Sequence, residues 1–126
     1  MKLQLSILES SFTIHRFPPN HEIPNQVYGS KFYTISKTED ELSIVCSSSI
    51  QLNSKDSEIG WSCLKVMGPL KFSLTGILAE ISAVLAEAEI SSFAISTFDT
   101  DYILVKSKKL PLARQALLAS GHTFKP

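Results

Sequence analysis

The stretch that most constrains the fold is "FSLTGILAEISAVLAEAEI", residues 72–90. Leu74, Ile77, Leu78, Ile81, Val84, Leu85 and Ala88 recur at helical spacing, whereas Thr75, Glu80, Ser82, Ala83 and Glu87 fall mostly off that stripe. The pattern predicts an amphipathic helix of about five turns that must bury one face. Ser73 is placed to cap its start, with Pro69 just upstream. A second helix is predicted from "KLPLARQALLASG", where Leu110, Ala113, Ala116 and Leu117 share a face. Pro111 suits the first turn of that helix, and Gly121 suits the position just past its end.

Strand patterns surround these helices. "WSCLKVM" precedes the first, "AISTFDTDYILVK" lies between the two as a hairpin, and "HTFKP" follows the second. The second half therefore reads β-α-β-β-α-β, the ferredoxin-like order, an α+β arrangement with both helices on one face of an antiparallel sheet.

The first half offers four strand-like segments, "KLQLSIL", "SFTIHRF", "KFYTISK" and "ELSIVCS". Between them lies "PPNHEIPNQVYGS", whose Pro18, Pro19 and Pro24 exclude a long helix. Laid over the second half at a spacing of sixty residues, "ISKTEDELSIV" has the same length as "ISTFDTDYILV". Ile35 then matches Ile95, Ser36 matches Ser96, Glu39 and Glu41 meet Asp99 and Asp101, and Val45 matches Val105. This reads as a duplication whose first copy has lost its long helix to the proline-rich loop. "SSSIQLNSKDSEIG", residues 47–60, reads as the link between copies.

The 126 residues suffice for one compact domain or two very small ones sharing a core. Twelve basic and twelve acidic residues give zero formal net charge, which argues against a broad footprint for nucleic acid or an anionic membrane. No apolar run approaches membrane-spanning length, and the opening "MKLQLSIL" reads as a strand rather than a signal peptide. Cys46 and Cys63 lie in strand-like segments and are expected to be buried free thiols; with no export signal, a cytoplasmic protein is expected.

Little in the chain suggests catalysis. His15, His21 and His122 have no metal-ligand spacing with one another or with a cysteine, and the nucleophile-elbow, P-loop and dinucleotide-binding motifs are absent. Asp99 and Asp101 are too few for an EF-hand loop, so no metal and no cofactor are expected. The strands lack the aromatic-basic pattern of RNA-binding sheets, and the acidic turn would repel phosphate.

The hairpin tip carries the remaining signal. Asp99 reads as turn chemistry. Asp101 begins a strand instead, which suits it to hold a cationic group. "GPLKFSLTG" joins the preceding strand to the long helix, and a helix N-terminus suits a carboxylate. Gly76 in the first turn costs helix stability of roughly 1 kcal/mol against alanine. It serves either close approach of a ligand to the backbone or close helix–sheet packing. A helix N-terminus for a carboxylate and Asp101 for an ammonium would together clamp a free amino acid.

"VMGPLKFSLTGILAEISAVLAEAEISSFAISTFDTDYILVK", with "ISTFDTDYILVK" as its most specific part, resembles the ACT domain of small tandem-ACT proteins. These include short bacterial proteins with two ACT-like halves and the CASTOR arginine sensors. The resemblance covers nearly the whole chain and implies tandem ferredoxin-like ACT domains, residues 1–60 a degenerate half lacking a full first helix and residues 61–126 a complete domain. It implies a non-catalytic, amino-acid-binding regulator with its ligand at an interface between ACT units. Carried over by motif, the ligand-binding residues are Ser73, Thr75 and Gly76 on the helix side and Thr97, Phe98 and Asp101 on the hairpin side. The arginine sensors carry four ACT-like units and this chain two, so a homodimer would supply the missing partner, and a regulated protein would receive the output. The alternative is a ligand-free interaction module or homodimeric scaffold.

Overall fold

A computed structural model describes residues 2–68 and 76–126. Its strands are β1 (Gln4–Phe17), β2 (Thr34–Lys37), β3 (Leu42–Ser47), β4 (Asp56–Val66), β5 (Ser92–Ser96), β6 (Asp101–Lys106) and β7 (Thr123–Phe124). Its helices are α1 (Ile77–Glu87) and α2 (Leu110–Ala119), with short 3-10 turns at Asn25–Gly29 and Ser107–Lys109. The chain divides into two compact units, Met1–Glu9 with Ser62–Pro126, and Ser10–Trp61. β1 and β4 cross that division, and each supplies residues to both units.

The larger unit has the expected succession β4-α1-β5-β6-α2-β7. Its strand order is β7-β1-β4-β6-β5. The ferredoxin-like order alone would set the last strand beside the first of that succession, but here the start of β1 occupies the place between them. β1 runs parallel to β7, pairing Gln4 with Thr123 and Leu5 with Phe124. On its other side the Met67 N–H donates to the Gln4 carbonyl at 2.8 Å. Ser62 meets Ser107 through their hydroxyls at 2.8 Å, while Thr100 reaches Val66, so β4 and β6 run antiparallel.

Alternation along the strands explains which face is covered. Leu64 and Val66 of β4 and Ile103 and Val105 of β6 point to one side, where Leu5 joins them. Both helices close over that side, α1 through Ile77, Ile81 and Leu85 and α2 through Ala113 and Leu117.

Both helices end in the same device. In α1 the Ile90 N–H donates to the Leu85 carbonyl and the Glu89 N–H to the Ala86 carbonyl, with Glu89 at φ 60°. In α2 the His122 N–H donates to Leu117 and the Gly121 N–H to Leu118, with Gly121 at φ 95°. These are Schellman motifs, and Ile90 and Leu85 supply the apolar contact that accompanies the first. Gly121 stands where the sequence puts it, whereas α1 uses a glutamate in the left-handed position.

The smaller unit is built on β2, β3 and the second part of β1. β1 and β3 pair antiparallel from Phe12 with Ser47 to Phe17 with Leu42, and β2 and β3 from Thr34 with Val45 to Lys37 with Leu42. Leu42, Ile44 and Cys46 alternate inward against Phe17 and Val27. Val27, fully buried, belongs to the 3-10 turn that stands where the proline-rich segment was expected to exclude a long helix.

Some boundaries differ from the sequence reading. The first two expected strands are one continuous strand, because Ser10 and Ser11 are tolerated in extended backbone; the Ser10 hydroxyl meets that of Ser47 on β3 at 2.7 Å. β4 begins at Asp56, inside the segment read as a link. α1 spans 11 residues, about three turns rather than five. Its described cap is Gly76; the expected cap at Ser73 lies outside the described residues.

Candidate functional site

The β5–β6 hairpin closes on the pair Ser96 and Asp101. Beyond it the Thr97 N–H donates to the Thr100 carbonyl at 2.9 Å. The Thr97 hydroxyl donates to the same carbonyl at 3.0 Å and accepts the Thr100 N–H at 3.4 Å. Thr97 therefore supplies the side-chain closure of this turn, a role the sequence suggested for Asp99.

The smaller unit builds the same turn. The Thr38 N–H donates to the Glu41 carbonyl at 2.9 Å, and the Thr38 hydroxyl accepts from Asp40 and Glu41 N–H groups, both at 3.1 Å. Thr38 and Thr97 are 59 residues apart, and the closing pairs Lys37–Leu42 and Ser96–Asp101 keep that spacing. The sixty-residue overlay is thus displaced by one at the turn. The counterpart of Asp101 is Leu42, not Glu41, and Asp40 is the counterpart of Asp99.

Asp101 opens β6 half-buried, and the Ser96 hydroxyl donates to its Oδ1 at 2.6 Å. A carboxylate so held retains lone pairs for a further donor. Phe98 stands at the tip, 79% exposed. Behind it Thr100 is only 4% exposed, and its hydroxyl donates to the Val66 carbonyl at 2.6 Å. That bond fastens the hairpin to the end of β4, the strand that precedes α1 in sequence. Thr100 was not among the residues singled out from sequence; the shared four-residue turn around Thr38 and Thr97 was the signal available for its turn.

On the helix side, Ser73 and Thr75 lie outside the described residues. Gly76 caps α1 at φ 81°, ψ 4°, and its carbonyl accepts the Glu80 N–H at 2.9 Å. No described atom lies within 4 Å of where a Cβ would stand. Its glycine is therefore explained by the left-handed backbone and not by tight helix–sheet packing among the described residues.

Burial pushes the Cys63 thiol up to about 12 and raises that of Cys46, and both are buried and unbridged. Burial chiefly, then the nearby Cys63 and Asp99, holds the Tyr102 phenol above its ordinary range. Among the described residues no cluster of three or more His, Cys, Asp or Glu side chains could hold a metal, and no helix is long and apolar enough to cross a membrane.

The ACT domain family model matches residues 56–119, which contain β4, α1, the hairpin and α2. A second model, of an N-terminal domain, matches residues 10–50. The chain is 33% identical over 110 residues to the cytosolic arginine sensor for mTORC1 subunit 1 of Pongo abelii, an alignment covering 79% of this chain and 33% of the sensor. This chain thus spans about a third of that relative's length. Among solved structures, Atu0741 of Agrobacterium tumefaciens is 36% identical with a TM-score of 0.92, over 99% of this chain and 93% of that one. The regulatory subunit of aspartate kinase from Thermus thermophilus, ligand-free, shares the fold with a TM-score of 0.66 at 7% identity, over 91% of this chain and 95% of its own. With this hairpin, this helix entrance and a family match across half its length, the chain belongs to the ACT domain family.

Proposed function

We propose that the protein is a non-catalytic, cytoplasmic regulator that binds a free amino acid and passes the signal to a protein partner. The observation that carries this reading is the fastening of the Asp101 hairpin to the end of β4 through Thr100 and Val66. It holds the hairpin that carries the carboxylate against the end of β4, the strand that precedes α1 in sequence. The ligand carboxylate meets backbone N–H groups near Ser73, Thr75 and Gly76, and its ammonium meets Asp101. Thr97 holds the turn, and Phe98 lies against the ligand side chain.

The shared turn geometry at Thr38 and Thr97 supports the tandem reading, with residues 1–60 a degenerate ACT half and 61–126 a complete one. The ligand then lies at an interface between ACT units, which a homodimer completes. Likeness to an arginine sensor makes arginine the first ligand to test.

The experiment is a thermal-shift screen of the purified chain against the proteinogenic amino acids, followed by titration calorimetry and repeated on Asp101→Ala. A ligand at one hundred times its Kd stabilises the fold by about 2.7 kcal/mol. Selective stabilisation that the variant loses supports the reading. Silence across the panel from a well-folded sample sinks it. That result favours a ligand-free interaction module or homodimeric scaffold.

A further inference from the structure

We infer that the smaller unit carries a second binding site, for a neutral planar nitrogen heterocycle of the nucleobase or nucleoside kind. A pocket of about 390 Å³ lies wholly within Ser10–Trp61, between the proline-rich segment and residues 51–53. That volume is within the range of small-molecule sites.

The pocket's walls are fixed before any ligand arrives. Pro18, Pro19 and Pro24 restrict the backbone beside it, and the His21 N–H donates to the Pro18 carbonyl at 3.1 Å. The Val27 N–H donates to the Pro24 carbonyl at 3.1 Å, and the buried Val27 side chain anchors the adjoining turn. A rim already held this way loses little freedom on binding.

One aromatic ring is presented in a set orientation. His21 stacks on the buried Phe17 with centroids 4.5 Å apart and planes at 29°. Its Nδ1 lies 2.6 Å from the Glu22 carbonyl, which can only accept, so Nδ1 carries the hydrogen. The imidazole is thereby fixed in both position and tautomer while remaining exposed. Together with Phe17 it makes a platform on which another flat ring extends the stack.

The polar lining selects what that ring carries. Asn25, Gln26, Gln51 and Asn53 are among the lining residues, and each carries a primary amide that is both a donor and an acceptor. Such amides pair two-pronged with an edge that alternates acceptor and amino donor, as adenine does. The described lining includes Glu22 but no lysine or arginine, so nothing there rewards a phosphate.

The test uses the full chain, isotope-labelled, titrated with adenine, adenosine, cytidine and AMP while backbone amide resonances are followed. Saturable shifts at Asn25, Gln26 and Asn53 with adenine or adenosine are expected, with AMP weaker; comparison of the first two separates a free base from a nucleoside. His21→Ala and Asn53→Ala, both at exposed positions, should each weaken binding about tenfold, the weight of one lost hydrogen bond or stack. Asp101→Ala should leave this affinity unchanged, which separates the outcome from that of the amino-acid site. Absence of saturable shifts at the pocket, binding indifferent to both pocket variants, or tighter binding of AMP than adenosine would each overturn the inference.

Discussion

The Leu3 N–H donates to Nδ1 of His122 at 3.1 Å, joining residues 119 apart in sequence. His122 is fully buried, and its Nε2 points toward Glu80 at 3.8 Å. Nδ1 must therefore be the unprotonated nitrogen of the neutral ring. The Thr123 N–H donates to the Leu3 carbonyl at 2.9 Å beside it, so the imidazole continues the β1–β7 ladder where backbone pairing ends. His122→Leu keeps apolar volume but removes the acceptor. It should lower stability by about 1–3 kcal/mol, read as a shifted urea midpoint. An unchanged midpoint would mean that this bond does not hold the strand.

Glu89 occupies the left-handed position of the Schellman motif after α1. An L side chain there costs roughly 1–2 kcal/mol, of which glycine's greater freedom in the unfolded chain offsets about 0.4–1. Glu89→Gly should raise stability by about 0.5–1 kcal/mol and increase the melting temperature. A fall would show that the glutamate side chain makes compensating interactions.

Thr100→Val tests the fastening of the hairpin. The variant keeps the shape and removes the hydroxyl donor that the Val66 carbonyl accepts in a buried setting. A loss of about 1–2 kcal/mol is expected from thermal or chemical unfolding, with faster amide exchange at the hairpin tip. Unchanged exchange there would separate the tip's order from this bond.

Burial lowers the pKa of His15 below its ordinary 6.5. Its Nδ1 meets the Ser54 hydroxyl at 2.7 Å, and its buried Nε2 has no hydrogen-bond partner among the described residues. Between the lowered folded pKa and the ordinary unfolded one, the unfolded chain binds more protons, so stability rises with pH across that window. The contribution is fully present above about 6.5 and is lost as pH falls toward the folded value. His15→Gln should flatten the dependence between neutral and mildly acidic pH, measured by denaturant unfolding. An equal slope in both proteins would assign it elsewhere.

Asp101→Ala should weaken amino-acid binding by about 1.5–3 kcal/mol if the carboxylate holds an ammonium. Isothermal titration checks this, with circular dichroism to confirm the fold. Equal affinity would remove Asp101 from the site.

The order of elements in the larger unit was legible because its signals are local. A helical stripe needs only its own residues, and so does the glycine after α2. The place of β1 was not legible, since alternation tells which face a strand buries but not which strands flank it. The α1 terminus misled for a related reason. Leu74 continues the apolar stripe backward, but Gly76 adopts a left-handed backbone that starts the described helix after it. At the hairpin, matching acidic residues suggested Glu41 as the echo of Asp101. The ladder instead aligns the threonines that close each turn, because hydrogen bonding, not charge, sets hairpin register.

The insertion of β1 beside β7 also bears on the timing of folding. The strand at Gln4 and Leu5 completes its sheet only when residues more than a hundred positions later have left the ribosome, because it pairs with Thr123 and Phe124. Closing a contact of that separation is an entropically late step. The pairing between β2 and β3 needs only nearby residues and is available long before. During synthesis the first part of β1 is thus a waiting edge, and a nascent protein stalled before residue 123 would carry an unpaired strand side open to association with another chain.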